Sequence, residues 1–298
     1  FDPLPGDADR FERVRARLRA ARLTRPQPAR DDKVVTAWNG LAITALAEAS
    51  VALDDPALLE AALRCAASVV GLHLVDGRLR RASLGGRVGE SAAILEDHAM
   101  LATGLLASYQ LTGDPVWLDR ATGLIDLALD HFADPDRPGR WFDTEQLRVR
   151  PADPVDGATP SGASSIAEAL LTAAHLVDAD RAGRYGEAAA ETLLAHSTLL
   201  ARAPRSAGHW LAVAEAAVRG PLQVAVATAD ANSELLAAAR RMAPGGTVVV
   251  GGTVDSSPLL AGRDRVRGAD AAYVCRGRVC DLPVTDVAEL AEMLGVAG

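Results

Sequence analysis

The sequence predicts a mainly α-helical fold, a toroid of helical hairpins, followed by a small α/β appendage. Three observations predict it. A long helix, a tight Asp/Gly/Pro turn and a second long helix recur three times. Pro56 and Pro115, which open two of the second helices, lie 59 residues apart, and the third unit follows a few residues later than that period. Recurrence of this kind marks supersecondary units that stack to bury a shared core. Second, the links between units are long, Val75–Ser91 and Ala133–Thr159, which suits hairpins arranged as one ring of helices inside another better than a plain bundle. Third, the pattern changes after about residue 219 to strand, helix, strand.

In order, apolar residues at helical spacing (Phe11, Val14, Leu18, Leu23) predict a helix over 7–23. Pro26 and Pro28 end it in an extended loop. Thr36 is the expected N-cap of a helix running to Leu53. Asp54-Asp55-Pro56 stops that helix and starts the next, over 56–72. The second pair spans 92–112 and 115–132, and the third 160–178 and 182–202. Beyond 219, Leu222–Ala229 and Thr247–Val250 read as parallel strands around helix 232–242. Short strands at 271–275 and 278–281 and a last helix at 286–295 complete the reading. The expected domains are therefore 1–219 and 220–298.

Composition excludes several functions. A net charge of −8 argues against nucleic-acid binding, and no apolar run is long enough to span a membrane. Three cysteines do not build a secreted disulfide framework, so the cytoplasm is the expected compartment. The first residue is Phe1, not Met, as expected of a piece of a longer protein. No Gly-x-Gly-x-x-Gly follows the first strand of the tail, so no dinucleotide cofactor is expected, and no histidine shows metal-ligand spacing.

Scarce residues mark the candidate site. Lys33 is the only lysine among 31 basic residues, and Asn39 is one of two asparagines. Both fall beside Trp38, Asp31 and Asp32. A compact ammonium in so Arg-rich a chain marks a place where a guanidinium does not fit. The first helix of each pair opens on unusual residues: Trp38-Asn39-Gly40, then Glu96-Asp97-His98, then Ser161-Gly162. Helix N-termini gathered at one mouth present free N–H groups and suit carboxylates or hydroxyl-rich ligands. Asp31, Asp32, Glu96 and Asp97 are the candidate carboxylates for acid/base chemistry, unless Asp31 and Asp32 merely pair with Arg30 and Lys33. His98 is the candidate general acid or base. Lys33, Trp38, Asn39, Ser161 and Trp141 are the candidate substrate-binding residues, the two indoles as stacking platforms. His73, His131, His175, His196 and His209 are expected in surface or packing roles. Cys275 and Cys280 are expected as ordinary thiols, with a disulfide open to them if a tight turn joins them.

Arg30-Asp31-Asp32-Lys33 running into Thr36-Ala37-Trp38-Asn39-Gly40-Leu41 resembles a signature of the thioredoxin-domain-containing family that includes the spermatogenesis-associated thioredoxin-like protein and its bacterial relatives. Leu95-Glu96-Asp97-His98-Ala99 resembles that family's Leu-Glu-Asp-Tyr-Ala motif, with His98 in place of Tyr. Pro160-Ser161-Gly162 and Tyr273-Val274-Cys275…Cys280…Pro283-Val284-Thr285-Asp286 match as well. The resemblance covers essentially the whole chain. It implies a region that follows a thioredoxin-like domain and forms part of a six-hairpin toroid, similar to N-acylglucosamine 2-epimerases and six-hairpin glycosidases. With seven or eight of twelve toroid helices, the ring would be incomplete. Two functions follow from it: a carbohydrate-active enzyme, epimerase- or glycosidase-like, with a sugar bound at the mouth, or a non-catalytic scaffold serving the thioredoxin-like domain. Which of the two operates stays open at this point.

Overall fold

The computed structural model describes residues 6–145, 147–220, 222–230, 232–277 and 279–296. It is 55% helical, with eleven α-helices among the described residues and a few small sheets. The chain divides into two compact units, Phe1–Lys33 and Val34–Gly298. The first holds α1 (Asp7–Leu23), as expected. Its apolar stripe of Phe11, Val14, Leu18 and Leu23 is exposed. A short strand, β1 (Lys33–Val35), spans the boundary.

The second unit begins with α2 (Thr36–Ala52) and α3 (Pro56–His73). Two small hairpins follow, β2 (Leu74–Val75) with β3 (Arg78–Leu79) and β4 (Ala82–Leu84) with β5 (Arg87–Val88). Then come α4 (Leu95–Thr112), α5 (Pro115–Phe132), α6 (Gly162–Ala173) and α7 (Ala179–Ala195). The expected helix over 182–202 is divided at His196, and its end forms α8 (Ser197–Arg202). After α9 (Gly208–Val218) the pattern changes as the sequence suggests.

Local chemistry explains the hairpin turns. Asp55, Asp114 and Asp178 each accept a backbone N–H in the first turn of α3, α5 and α7, satisfying donors that the helix itself leaves open. Proline follows directly after Asp55 and Asp114, where a missing N–H costs nothing. Helix α4 packs against both α2 and α6, while α3, α5 and α7 each pack on the first helix of their own pair. The core is rich in alanine and leucine, with Trp210, Tyr185 and Phe132 among its largest fully buried side chains.

Glycine sets the spacing of α2 and α4. A Cβ built on Gly40 would lie 2.4 Å from the Met100 carbonyl carbon, and one on Gly104 would lie 2.8 Å from the Gly40 oxygen. The two backbones therefore touch, and no other residue fits.

Strands β6 (Leu222–Ala227), β7 (Val248–Gly252), β8 (Ala271–Arg276) and β9 (Val279–Cys280) form one sheet in the order β7-β6-β8-β9. The β6–β7 pair is parallel, as a strand-helix-strand connection through α10 (Glu234–Met242) requires. The β8 and β9 pairings are antiparallel, and α11 (Val287–Leu294) closes the chain. Arg278, the first residue of the expected 278–281 strand, lies outside the described residues. Among the described residues the stretches 92–132 and 160–200 contain no strand; a single bridge, Ala92 with Arg80, stands at the edge of the first.

The sheet is tied to the hairpins by polar contacts. Gln110 near the end of α4 accepts the Val249 N–H through Oε1 at 3.0 Å. Arg240 on α10 donates to the Gln110 and Leu111 carbonyls, at 3.0 Å each, at that helix's open C-terminal end. Gln110→Leu is expected to lower stability by about 1–2 kcal/mol, because the Val249 N–H loses its partner. Urea unfolding checks this, and an unchanged midpoint would mean that water replaces the amide.

Candidate functional site

The N-terminal ends of α2, α4 and α6 carry most of the sequence-predicted residues. Thr36 does not cap α2, because the helix already includes it and Val35 takes the cap position. Its hydroxyl donates to the Arg80 carbonyl at 2.6 Å and lies 2.7 Å from His73 Nδ1. One hydroxyl proton serves one acceptor, so His73 holds its proton on Nδ1 and donates to Thr36. His73 Nε2 then accepts from Ser83 Oγ at 2.9 Å. Burial holds His73 below the usual histidine range, in keeping with a neutral ring in this network.

The cap of α2 comes instead from α4. Asp97 Oδ1 accepts the Ala37 N–H at 3.0 Å, while Oδ2 accepts the Ile94 N–H at 3.0 Å and an Arg81 N–H at 2.9 Å. Asp97 is fully buried. Burial pushes its carboxyl up to about 6, against the pull of the Ile94 amide, Arg81 and the Ala37 amide. The same guanidinium reaches Glu96 Oε1 at 2.9 Å. Burial works against the Arg81 charge, but Asp97 and Glu96 outweigh it and raise its pKa.

A second carboxylate does the same for α6 and α9. Asp156 Oδ1 accepts the Ser161 N–H at 2.9 Å and the Ser164 hydroxyl at 2.8 Å, at the start of α6. Its Oδ2 accepts the His209 N–H at 2.9 Å, at the start of α9. Ser161 caps α6 through Oγ, which takes the Ser164 N–H at 3.1 Å. Thus Asp97 serves α2 and α4, and Asp156 serves α6 and α9. Asp156 escapes sequence reading because it lies in a loop, 53 residues from His209.

The remaining candidates are placed as follows. Asn39 donates to the Val35 carbonyl at 2.8 Å and accepts from the Cys65 thiol at 3.4 Å. Trp38 is 60% exposed. Trp141 is not an open platform: it is 5% exposed, and its indole N–H donates to Thr192 at 2.9 Å. His98 is buried, stacks at a tilt on Phe132 with centroids 5.1 Å apart, and directs Nδ1 at the Ile94 carbonyl. Its other edge lines a cavity of about 50 Å³, with Arg78, His131 and Glu145. That is well below the size of an ordinary ligand pocket. Burial lowers the His98 pKa. In the first unit, Asp31 pairs with Lys33 at 3.1 Å and Asp32 pairs with Arg30, all exposed. The Lys33 hydrogen bond holds Asp31 below the usual carboxylate range.

Other groups gather on the same helices without having been singled out by the sequence reading. His209 Nε2 on α9 lies 3.3 Å from Glu168 Oε2 on α6. Burial opposes the His209 charge, but Glu168 prevails and raises its pKa. Burial also raises Glu48 on α2, with the Glu168 charge adding to it. A signal did exist in the sequence: Glu48 and Glu168 are the sole charged residues of α2 and α6. Glu48 also lines a cleft of about 220 Å³ with Gln110, Arg240 and Thr247. There Arg240 Nε and Thr247 Oγ1 are buried with no hydrogen-bond partner among the described residues. Burial lowers the Arg240 pKa.

Among the described residues no three His, Cys, Asp or Glu side chains gather as a metal site, and no helix is long and apolar enough to cross a membrane.

No protein-family model matches the chain. Among curated proteins, it is 28% identical to spermatogenesis-associated protein 20 of Mus musculus, over 93% of the chain and 38% of that protein. The Homo sapiens protein of the same name is 27% identical over 93% of the chain. An uncharacterized protein of Caenorhabditis elegans is 30% identical over 92% of the chain and 39% of its own length. The chain therefore spans about two-fifths of the length of the curated relatives it matches.

Proposed function

We propose that this chain is a ligand-binding scaffold without hydrolytic activity, formed by part of an α/α toroid of helical hairpins (1–219) with an α/β appendage (220–298). In this reading it serves a thioredoxin-like domain elsewhere in a longer protein, as the motif resemblance suggests. The observation that carries it is the state of the rim carboxylates. Asp97 spends its oxygens on two backbone amides and Arg81, and Arg81 also holds Glu96. A carboxylate committed to helix caps is not available as nucleophile or base. The cleft lined by Glu48, Gln110, Arg240 and Thr247 supports the binding role, since it offers a carboxylate, a guanidinium, an amide and a hydroxyl to a small hydroxylated ligand such as a sugar.

A carbohydrate-active enzyme is the second reading, and the Glu48, Glu168 and His209 group favours it. A carboxylate raised by burial and by the charge of a second carboxylate, which itself lies beside a histidine, is a pattern that acid/base chemistry uses. One experiment separates the two. The full-length protein is screened against a sugar library by thermal shift, since a ligand raises apparent stability by mass action, and each hit is then assayed for turnover. The scaffold reading expects binding without turnover, weakened about tenfold by Thr247→Val, which removes one polar contact in the cleft. Turnover that falls about 100-fold or more in Glu168→Gln would replace it with the enzyme reading.

A further inference from the structure

The hairpin of β8 and β9 brings Cys275 and Cys280 directly opposite one another, and they are joined as a disulfide rather than resting as two thiols. The two sulfurs have opposite environments. Cys275 is fully buried, whereas Cys280 is exposed on the edge strand of the sheet. Arg263 stands over both: one N–H of its guanidinium lies 3.1 Å from Cys280 Sγ and 3.4 Å from Cys275 Sγ. A second N–H group of Arg263 donates to the Leu259 carbonyl, which fixes its direction. Val279 and Leu282, 72% and 86% exposed, flank Cys280 with apolar surface.

We infer that Cys275–Cys280 is a reversible dithiol–disulfide couple, exchanging electrons with a protein dithiol through Cys280. Exchange needs an attackable sulfur, a stabilised leaving thiolate and access for the partner. Cys280 provides the first, and the apolar flanks of Val279 and Leu282 give a partner surface to seat on. Arg263 provides the second, because a guanidinium beside a sulfur favours the thiolate. The incoming thiolate attacks Cys280 Sγ. The Cys275–Cys280 bond breaks, its electron pair leaves on Cys275 Sγ, and a mixed disulfide joins Cys280 to the partner. The partner's second thiolate then attacks its own sulfur in that mixed disulfide and releases Cys280 as a thiolate. In sum the partner dithiol loses two electrons and two protons and becomes a disulfide, and the Cys275 and Cys280 pair gains both. The free thiol Cys65 lies in α3 and takes no part.

The test uses the folded, full-length protein with dithiothreitol as the dithiol, alkylation under native conditions, and mass mapping of the segment that holds Cys275 and Cys280. The expected result is no label before treatment, a label on the exposed Cys280 after it, and none when oxidised dithiothreitol is added back before alkylation. Arg263→Gln is expected to slow native reduction about fivefold, because the leaving thiolate loses its donor, while the melting temperature stays unchanged. Labelling without reductant, labelling only after denaturation, or a reduction rate untouched by Arg263→Gln would each overturn the inference.

Discussion

Gly40→Ala is expected to abolish or nearly abolish folding, at a cost of at least about 3 kcal/mol. In a free helix the same change would stabilise by about 1 kcal/mol, since alanine is the better helix former. Tertiary contact reverses the sign. The added methyl would stand 2.4 Å from the Met100 carbonyl carbon and 2.5 Å from its oxygen, both backbone atoms of α4. A side chain can rotate aside from such a clash, but a helix backbone can only translate. Moving α4 away from α2 would also pull Asp97 from the Ala37 N–H and open the core around Ile43 and Leu105. Domain stabilities of about 5–15 kcal/mol leave little room for that. Gly123→Ala in α5 is the matching control: a methyl there would meet nothing within 4 Å, so a gain of about 0.5–1 kcal/mol is expected. Urea unfolding of the two variants side by side checks both signs. A folded, fully stable Gly40→Ala protein would mean that α2 and α4 are not in backbone contact.

Asp97→Ala is expected to cost about 3–5 kcal/mol, because it strands two backbone donors at the helix starts and takes from Arg81 its buried partner. The Ala37 and Ile94 amides lose their partner, and Arg81 keeps only Glu96. Asp97→Asn should recover part of this, since its amide oxygen can still accept one of the bonds. The pH dependence distinguishes the carboxyl from a mere filler of space. Its folded pKa, about 6, lies above the ordinary 3.8, so the folded chain binds this proton more tightly than the unfolded chain. Its contribution to stability is therefore fully present below about pH 4 and is lost as the pH rises through about 6. The Asn variant should lack that part of the slope between about pH 4 and 6, which denaturant midpoints measured across the range would show. Equal slopes in both proteins would mean that Asp97 titrates normally.

Legibility in the sequence followed the range of the forces involved. Helix α1 and the start of each second helix were readable because their signals are local. Asp55-Pro56, Asp114-Pro115 and Asp178 act on amides two or three residues away. The strand-helix-strand tail was readable because a run such as Val248-Val249-Val250 carries its own β preference. At the candidate site the sequence pointed to the N-terminal ends of the first helices but not to the contacts their residues make. The residues that tie these helices together act over long separations: Asp97 on Ala37 across 60 positions, Asp156 on His209 across 53, and Trp141 on Thr192 across 51. No local pattern encodes which amide a carboxylate will meet.

By itself, then, the sequence determined the elements of this protein: three helical hairpins with their turns, a mixed tail, a net charge of −8, and helix starts suited to carboxylates. Capping, proline geometry and period-3.6 or period-2 burial are properties of neighbouring residues, so they survive in one dimension. Only the tertiary structure decided which carboxylates cap these helix starts. It selected the chain's own Asp97 and Asp156, turned Trp141 inward, set Glu48, Glu168 and His209 near one another, and placed Cys280 opposite Cys275. Each of these depends on helix packing or strand register, where the partner is chosen by three-dimensional approach and the free energy of burial, not by spacing along the chain.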